Sequence, residues 1–108
     1  NSFGLAHYES GKYKDAIEAY KRAIKVDPDY TYAHLNLGVA YLKSHMQKNA
    51  IEALKRLIRI DPDNTDAHLN LCLAYLLLND RGSAIEQYKI LKILDSEKAD
   101  GLFNVIYK

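Results

Sequence analysis

The chain repeats itself, and the period decides what it can fold into. A 34-residue unit from Thr31 to Asn64 (TYAHLNLGVAYLKSHMQKNAIEALKRLIRIDPDN) precedes itself in part and returns almost whole. Thr31–Leu42 and Thr65–Leu76 are identical at nine of twelve positions, and Lys14–Asp29 and Lys48–Asp63 agree at eleven of sixteen. Pro28 and Pro62 stand one period apart. A fixed period of this length means stacked supersecondary units, each burying its apolar face on the next.

Within the unit, the pattern is helical. Ala16, Ile17, Tyr20, Ala23 and Ile24 recur at the three-and-four spacing of one helix face. Asp27-Pro28-Asp29 ends that helix, because proline disfavours helical geometry in the residue before it. Counting each repeat from Thr31 or Thr65 as position 1, the first repeat starts at position 5, and residues 1–30 hold its remainder. Its helix A is expected over Ser2–Glu9, with Gly11 as the left-handed residue that closes it, and helix B over Lys14–Val26. The second repeat (31–64) predicts helices at Tyr32–Lys43 and Lys48–Ile60, and the third (65–98) at Asp66–Leu78 and from Gly82 or Ser83 to Leu94. Ala99–Lys108 opens a fourth helix A. Asn79 suits a left-handed turn position, and His45 suits it less well. Because the sequence begins inside a helix, it reads as a segment of a longer protein.

Bulk properties narrow the function classes. The net charge is +1, too small for a long-range field toward nucleic acid or membrane. No run of apolar residues is long enough to predict a transmembrane helix. The single cysteine, Cys72, has no internal partner, which favours an intracellular setting. His68 and Cys72 lie four apart and could supply half of a zinc site or a Cys–His pair. Nothing in the sequence completes a ligand set, so both are read as packing residues, as is His34 one repeat earlier. HExxH, GxSxG, phosphate-binding glycine loops and CxxC pairs are all absent from the sequence. The expectation is a chain that is not an enzyme and carries no cofactor or metal.

Most basic residues fall on helix B: Lys14, Lys21, Arg22, Lys25, Lys48, Lys55, Arg56 and Arg59. Glu18 precedes Lys21 and Arg22, and Glu52 precedes Lys55 and Arg56, at the spacing of helical ion pairs. This reads as a solvated outer face. No nucleic-acid partner is expected, since Lys43 is the clear basic candidate on the inner helices.

These residues resemble the tetratricopeptide repeat family across the whole chain. Leu37, Gly38, Tyr41, Ala50 and Pro62 match its pattern in the second repeat; Leu71, Tyr75, Ala84 and Tyr88 match it in the third. Gly4, Ala16, Tyr20, Ala23 and Pro28 match it in the first. Leu54, Leu57, Leu91, Cys72 and Ser96 depart from it, as does Ile106 in the fourth unit. The resemblance implies an all-α fold, an α-solenoid of antiparallel helix pairs in a right-handed superhelical stack. It forms a single domain of about three repeats, with 99–108 starting a further or capping helix.

The resemblance also implies that helix A turns positions 2, 5, 6, 9, 12 and 13 away from helix B. In the second repeat these are Tyr32, Leu35, Asn36, Val39, Leu42 and Lys43; in the third, Asp66, Leu69, Asn70, Leu73, Leu76 and Leu77. The fourth continues with Phe103, Asn104 and Tyr107. A solvated face would be more polar. Part of the apolar surface packs on the neighbouring helix A, and the rest reads as a groove for a ligand. Asn36, Asn70 and Asn104 recur every 34 residues, and a carboxamide can both donate to and accept from a peptide backbone. This resembles the asparagine ladder of O-linked N-acetylglucosamine transferase repeat domains. The family's carboxylate clamp needs Lys or Arg at positions 2, 5 and 6, and Tyr32, Leu35, Asn36, Asp66, Leu69 and Asn70 do not supply them.

The sequence therefore predicts a protein–protein interaction scaffold binding an extended or helical peptide segment of a partner. Two alternatives stand beside it: self-association through the apolar C-terminal end around Leu102, Phe103 and Ile106, and an accessory substrate-recruiting domain of a larger enzyme.

Overall fold

The computed structural model describes residues 2–107, with side chains from residue 12 to residue 107. Six helices follow one another: α1 (Ser2–Val26), α2 (Thr31–Lys43), α3 (Gln47–Ile60), α4 (Thr65–Leu77), α5 (Arg81–Leu94) and α6 (Ser96–Tyr107). The fold is an all-α helical repeat. α2 pairs with α3 and α4 with α5, and each pair stacks on the next. The inner helices touch in series, α2 on α4 and α4 on α6. The outer helices α1, α3 and α5 make no close backbone approach to one another among the described residues. A stack that closes on one side and splays on the other is curved, with helix A faces on the inside.

The turns within each repeat are built alike. His45 and Asn79 both take φ 61°. Met46 N donates to Tyr41 O at 2.8 Å and His45 N to Leu42 O at 3.1 Å, the paired bonds that close a helix around a left-handed residue. Asp80 N to Tyr75 O and Asn79 N to Leu76 O repeat them at 2.8 and 3.0 Å. These bonds hold His45 in a conformation its side chain does not favour.

Between repeats, the DPD turn is tied down by the recurrent histidine. His34 Nε2 donates to Pro28 O and His68 Nε2 to Pro62 O, both at 2.8 Å. Each imidazole is buried, at 3% and 4% exposure. The two differ at the other nitrogen. His68 Nδ1 lies 2.7 Å from Gln87 Oε1, whereas Ala53 stands at that place in the second repeat and His34 Nδ1 has no partner.

Small residues let the paired helices approach. Ala50, Ala67, Ala74 and Ala84 are fully buried, with Leu54, Leu57, Leu71 and Leu91 packed around them. A Cβ added at Gly38 would stand 2.7 Å from both Cγ and Cδ2 of Leu54. In the third repeat, Cys72 takes that place and packs in one cluster with Tyr88 and Leu91. The leucines at 54, 57 and 91 thus fill volume inside the fold.

Two elements depart from expectation. α1 is one continuous helix; Gly11 lies inside it and does not close a first helix. Interior glycine costs about 1 kcal/mol against alanine, whereas a turn there would expose the polar groups of two helix ends. The face of α1 that a first helix A would cover, including Ala16 and Tyr20, is only half-buried, while Ala50 and Ala84 at the equivalent place are fully enclosed.

α6 begins at Ser96, earlier than Ala99. In the earlier linkers Tyr30 and Asn64 are extended residues that break the chain before the helix starts. Lys98 occupies their position, favours helix and cannot cap. The turn after Asp95 therefore runs straight on, and Asp95 Oδ1 accepts from Lys98 N at 3.3 Å as the cap. Lys98 Nζ then reaches back to Thr65 Oγ1 and Asp66 Oδ1, at 2.8 and 3.0 Å.

Candidate functional site: the inner groove

The groove is lined by the inner helices and has two adjoining parts. The larger, about 390 Å³, lies among α2, α4 and α6, with Val39, Leu42, Leu73, Leu76, Leu77 and Val105 as its apolar wall. Lys43 and Asn70 are its polar members. The smaller, about 280 Å³, lies between α1 and α2, and Val39 and Lys43 line both. Leucines at positions 9, 12 and 13 of α4 reach this wall because three-and-four spacing keeps them on one side of the helix. Leu77 is 59% exposed at the rim.

Of the fifteen residues expected in the groove, Val39, Leu42, Lys43, Asn70, Leu73, Leu76 and Leu77 line the larger part, and Asn36 lines the smaller. Leu35 is half-buried against the core of Leu54 and Leu71, and Leu69 against that of Cys72 and Leu91. Tyr32 is exposed and stacks with Tyr30, centroids 6.0 Å apart. Asp66 pairs with Lys98.

The structure does not bring Phe103 or Tyr107 into this cavity. Both lie against Tyr88 of α5, with centroids 6.5 and 5.8 Å away, and 5.0 Å from each other. Val105, on the opposite side of α6, faces the groove instead and is 58% exposed. Its equivalents Leu37 and Leu71 are buried, whereas Val105 is open to the groove among the described residues. Valine is the ordinary apolar kind of residue at this repeat position, so nothing in the pattern singles Val105 out.

The asparagines do not form a uniform ladder. Asn70 Nδ2 donates to Asp66 O at 2.8 Å, within its own helix. Asn36 Nδ2 is buried and makes no hydrogen bond among the described residues. Asn104 is exposed. Asn70 thus keeps its carboxamide oxygen available as an acceptor.

Tyr13, Ala16 and Tyr20 of α1 were not anticipated in the groove, nor was Lys12, and all line its smaller part. They belong to the face left uncovered by the straight α1. Lys43 Nζ sits 5.7 Å from the centre of the Tyr13 ring, a cation–π contact across the α1–α2 seam.

Among the described residues no three His, Cys, Asp or Glu side chains cluster as a metal site. The Cys72 thiol is buried, and burial pushes its pKa up to about 11, which keeps it protonated and unreactive.

Comparison with known proteins accords with this architecture. The family model described as TPR repeat matches residues 4–44 and 47–79, most of the chain. The chain belongs to the TPR repeat family. No curated protein matches this TPR in sequence at a significant level. Among solved structures, the first TPR of Spaghetti (RPAP3), bound to an HSP90 peptide, is similar with a TM-score of 0.84 at 20% identity. That match covers 97% of this chain and 85% of the other. The second TPR domain of human RPAP3, in complex with an HSP70 peptide, is similar with a TM-score of 0.84 at 25% identity, covering 99% and 91%. MamA is similar with a TM-score of 0.82 at 27% identity; the match covers 93% of this TPR and 60% of the MamA chain.

Proposed function

We propose that this TPR is a non-enzymatic interaction module whose inner groove binds an extended or helical segment of a partner protein. The observation that carries the reading is the apolar wall of Val39, Leu42, Leu73, Leu76, Leu77 and Val105 around a cavity of about 390 Å³. A cavity of that size accepts one or two bulky apolar side chains, and each such leucine contributes about 1.5–3 kcal/mol when buried. The Asn70 carboxamide oxygen stands beside the wall as an acceptor for a peptide N–H. The RPAP3 domains, solved with bound peptides, support peptide binding as the general use of such a scaffold. Positions 2, 5 and 6 of the inner helices hold Tyr32, Leu35, Asn36, Asp66, Leu69 and Asn70, which favours an apolar segment over a carboxylate-terminated one.

The test uses affinity capture by the whole protein, followed by mapping of the bound segment. Leu73→Lys places a charge in the apolar wall and Asn70→Ala removes the acceptor. Each variant is expected to lose the partner while retaining wild-type helicity by circular dichroism. Normal capture by both would show that the partner binds elsewhere.

Self-association is the second reading, favoured by the α5–α6 end. Phe103 and Tyr107 remain 50% and 44% exposed there, and Ile93 of α5 is 85% exposed. A second copy could cover this surface. Mass in solution across a concentration series separates the readings: a peptide-binding module stays monomeric.

A further inference from the structure

We infer a second protein-binding surface on the outer face, in the cleft between α1 and α3, for an acidic amphipathic segment. It is separate from the inner groove. The cleft exists because the outer helices splay: α1 and α3 each pack on α2 without approaching each other. Ile24, Leu37, Tyr41 and Ala53 form the floor of a cavity of about 380 Å³. Lys21, Lys25 and Arg56 stand around it, with Glu52 as its acid and Asn49 beside it. An adjoining cavity of about 320 Å³ shares Ile24 and Arg56 and adds Arg59, with Asp29 as its acid.

These cations lack the partners expected of a solvated helix face. Glu18 and Glu52 are spaced to pair with Lys21, Arg22, Lys55 and Arg56, yet among the described residues none of those four has a carboxylate within 4.0 Å, nor do Lys25 and Arg59. The third repeat provides an internal control. Ile90 replaces Arg22 and Arg56, and Ile93 replaces Lys25 and Arg59. Lys89 keeps the place of Lys21 and Lys55, but two of the three cations at these positions are lost in the third repeat, so the basic character is densest at the α1–α3 cleft.

An apolar floor with a basic rim matches a segment that seats an apolar side chain and turns carboxylates outward. Charge complementarity of this kind raises encounter rate and fixes register. Nucleic acid fits less well, because the floor has no exposed aromatic for base stacking. An anionic membrane fits less well, because it would meet a recessed floor.

The test measures fluorescence anisotropy of a short Leu/Glu amphipathic peptide with the whole protein. The same peptide with Gln for Glu, a single-stranded oligonucleotide and phosphatidylserine vesicles serve as comparison probes. The acidic peptide is expected to bind at least about tenfold more tightly than its Gln version at low salt, with the advantage fading as salt rises. Lys25→Gln with Arg56→Gln removes that tenfold advantage, and Leu73→Lys, in the inner groove, leaves it in place. Circular dichroism confirms that the variants remain helical. Equal binding of both peptides overturns the inference, as does binding of neither. Sensitivity to Leu73→Lys instead of the outer double variant assigns the peptide to the inner groove and overturns it too. Tighter binding of the oligonucleotide or vesicles, lost in the double variant, replaces the protein partner with that ligand.

Discussion

At Gly38 the distance between helices is set by one missing atom. The Cβ of any other residue would sit 2.7 Å from Leu54 Cγ and Cδ2, and Leu54 is fully buried with no room to withdraw. Gly38→Val is expected to destabilise the fold by about 1–3 kcal/mol through overpacking. Thermal denaturation checks this, at about 4–8 °C per kcal/mol for a chain of this size. Adding Leu54→Ala should recover part of the loss. Cys72, one period later, makes a pH prediction. Its folded pKa of about 11 lies above the ordinary value of 9.0. Between those values the unfolded chain has lost the thiol proton and the folded chain retains it, so stability falls as pH rises through this window. The slope is at most about 1.4 kcal/mol per pH unit. Denaturant unfolding from pH 8 to 11 should show a shallower decline for Cys72→Ala than for the wild type.

At the scale of the element, helix starts are unequal. Asn64 Oδ1 accepts from Ala67 N at 3.0 Å, and Asp80 Oδ1 from Ser83 N at 3.2 Å, while Tyr30 and Met46 offer no side-chain cap. The Ser83 hydrogen bonds hold the Asp80 carboxyl below its usual value. Asn64→Ala should cost about 1 kcal/mol, read as a lower urea midpoint with unchanged slope. The element scale also shows where sequence reading reached and where it stopped. Helices α2 to α5 were legible because apolar spacing agrees with the turn residues after α2 and α4 and with the DPD stop after α3. α1 and α6 were not. Gly11 is compatible with both a turn and a helix interior, and the choice depends on what packs against the preceding segment. Lys98 in place of a capping residue was visible, but its effect on the start of α6 depended on Asp95 taking over as cap.

For the whole molecule, curvature produces two different surfaces from one repeat. Inside, α2, α4 and α6 converge and present leucines; outside, α1 and α3 part and present cations over an apolar floor. Leu73→Lys and Lys25→Gln with Arg56→Gln therefore act on separate binding events, and their effects should be additive in any partner that spans both. Most of the α2 and α4 groove was legible at the residue level, because the family's repeat pattern and the helical spacing together put Val39, Leu42, Leu73, Leu76 and Leu77 on one side. Val105 and the α1 members were hidden, since the pattern of α2 and α4 says nothing of what α1 and α6 place beside them.

The repeat, its length, the α2–α3 and α4–α5 pairs and the stripe of leucines can be read from the order of residues. They follow from local spacing and turn chemistry that recur every 34 residues. Which side of α6 meets the groove, that α1 runs straight, and that the outer cations have no carboxylate partner among the described residues emerge once the helices are packed. Each of these depends on the presence or absence of a neighbouring helix, and a neighbour's position is not encoded in the period of the helix it covers.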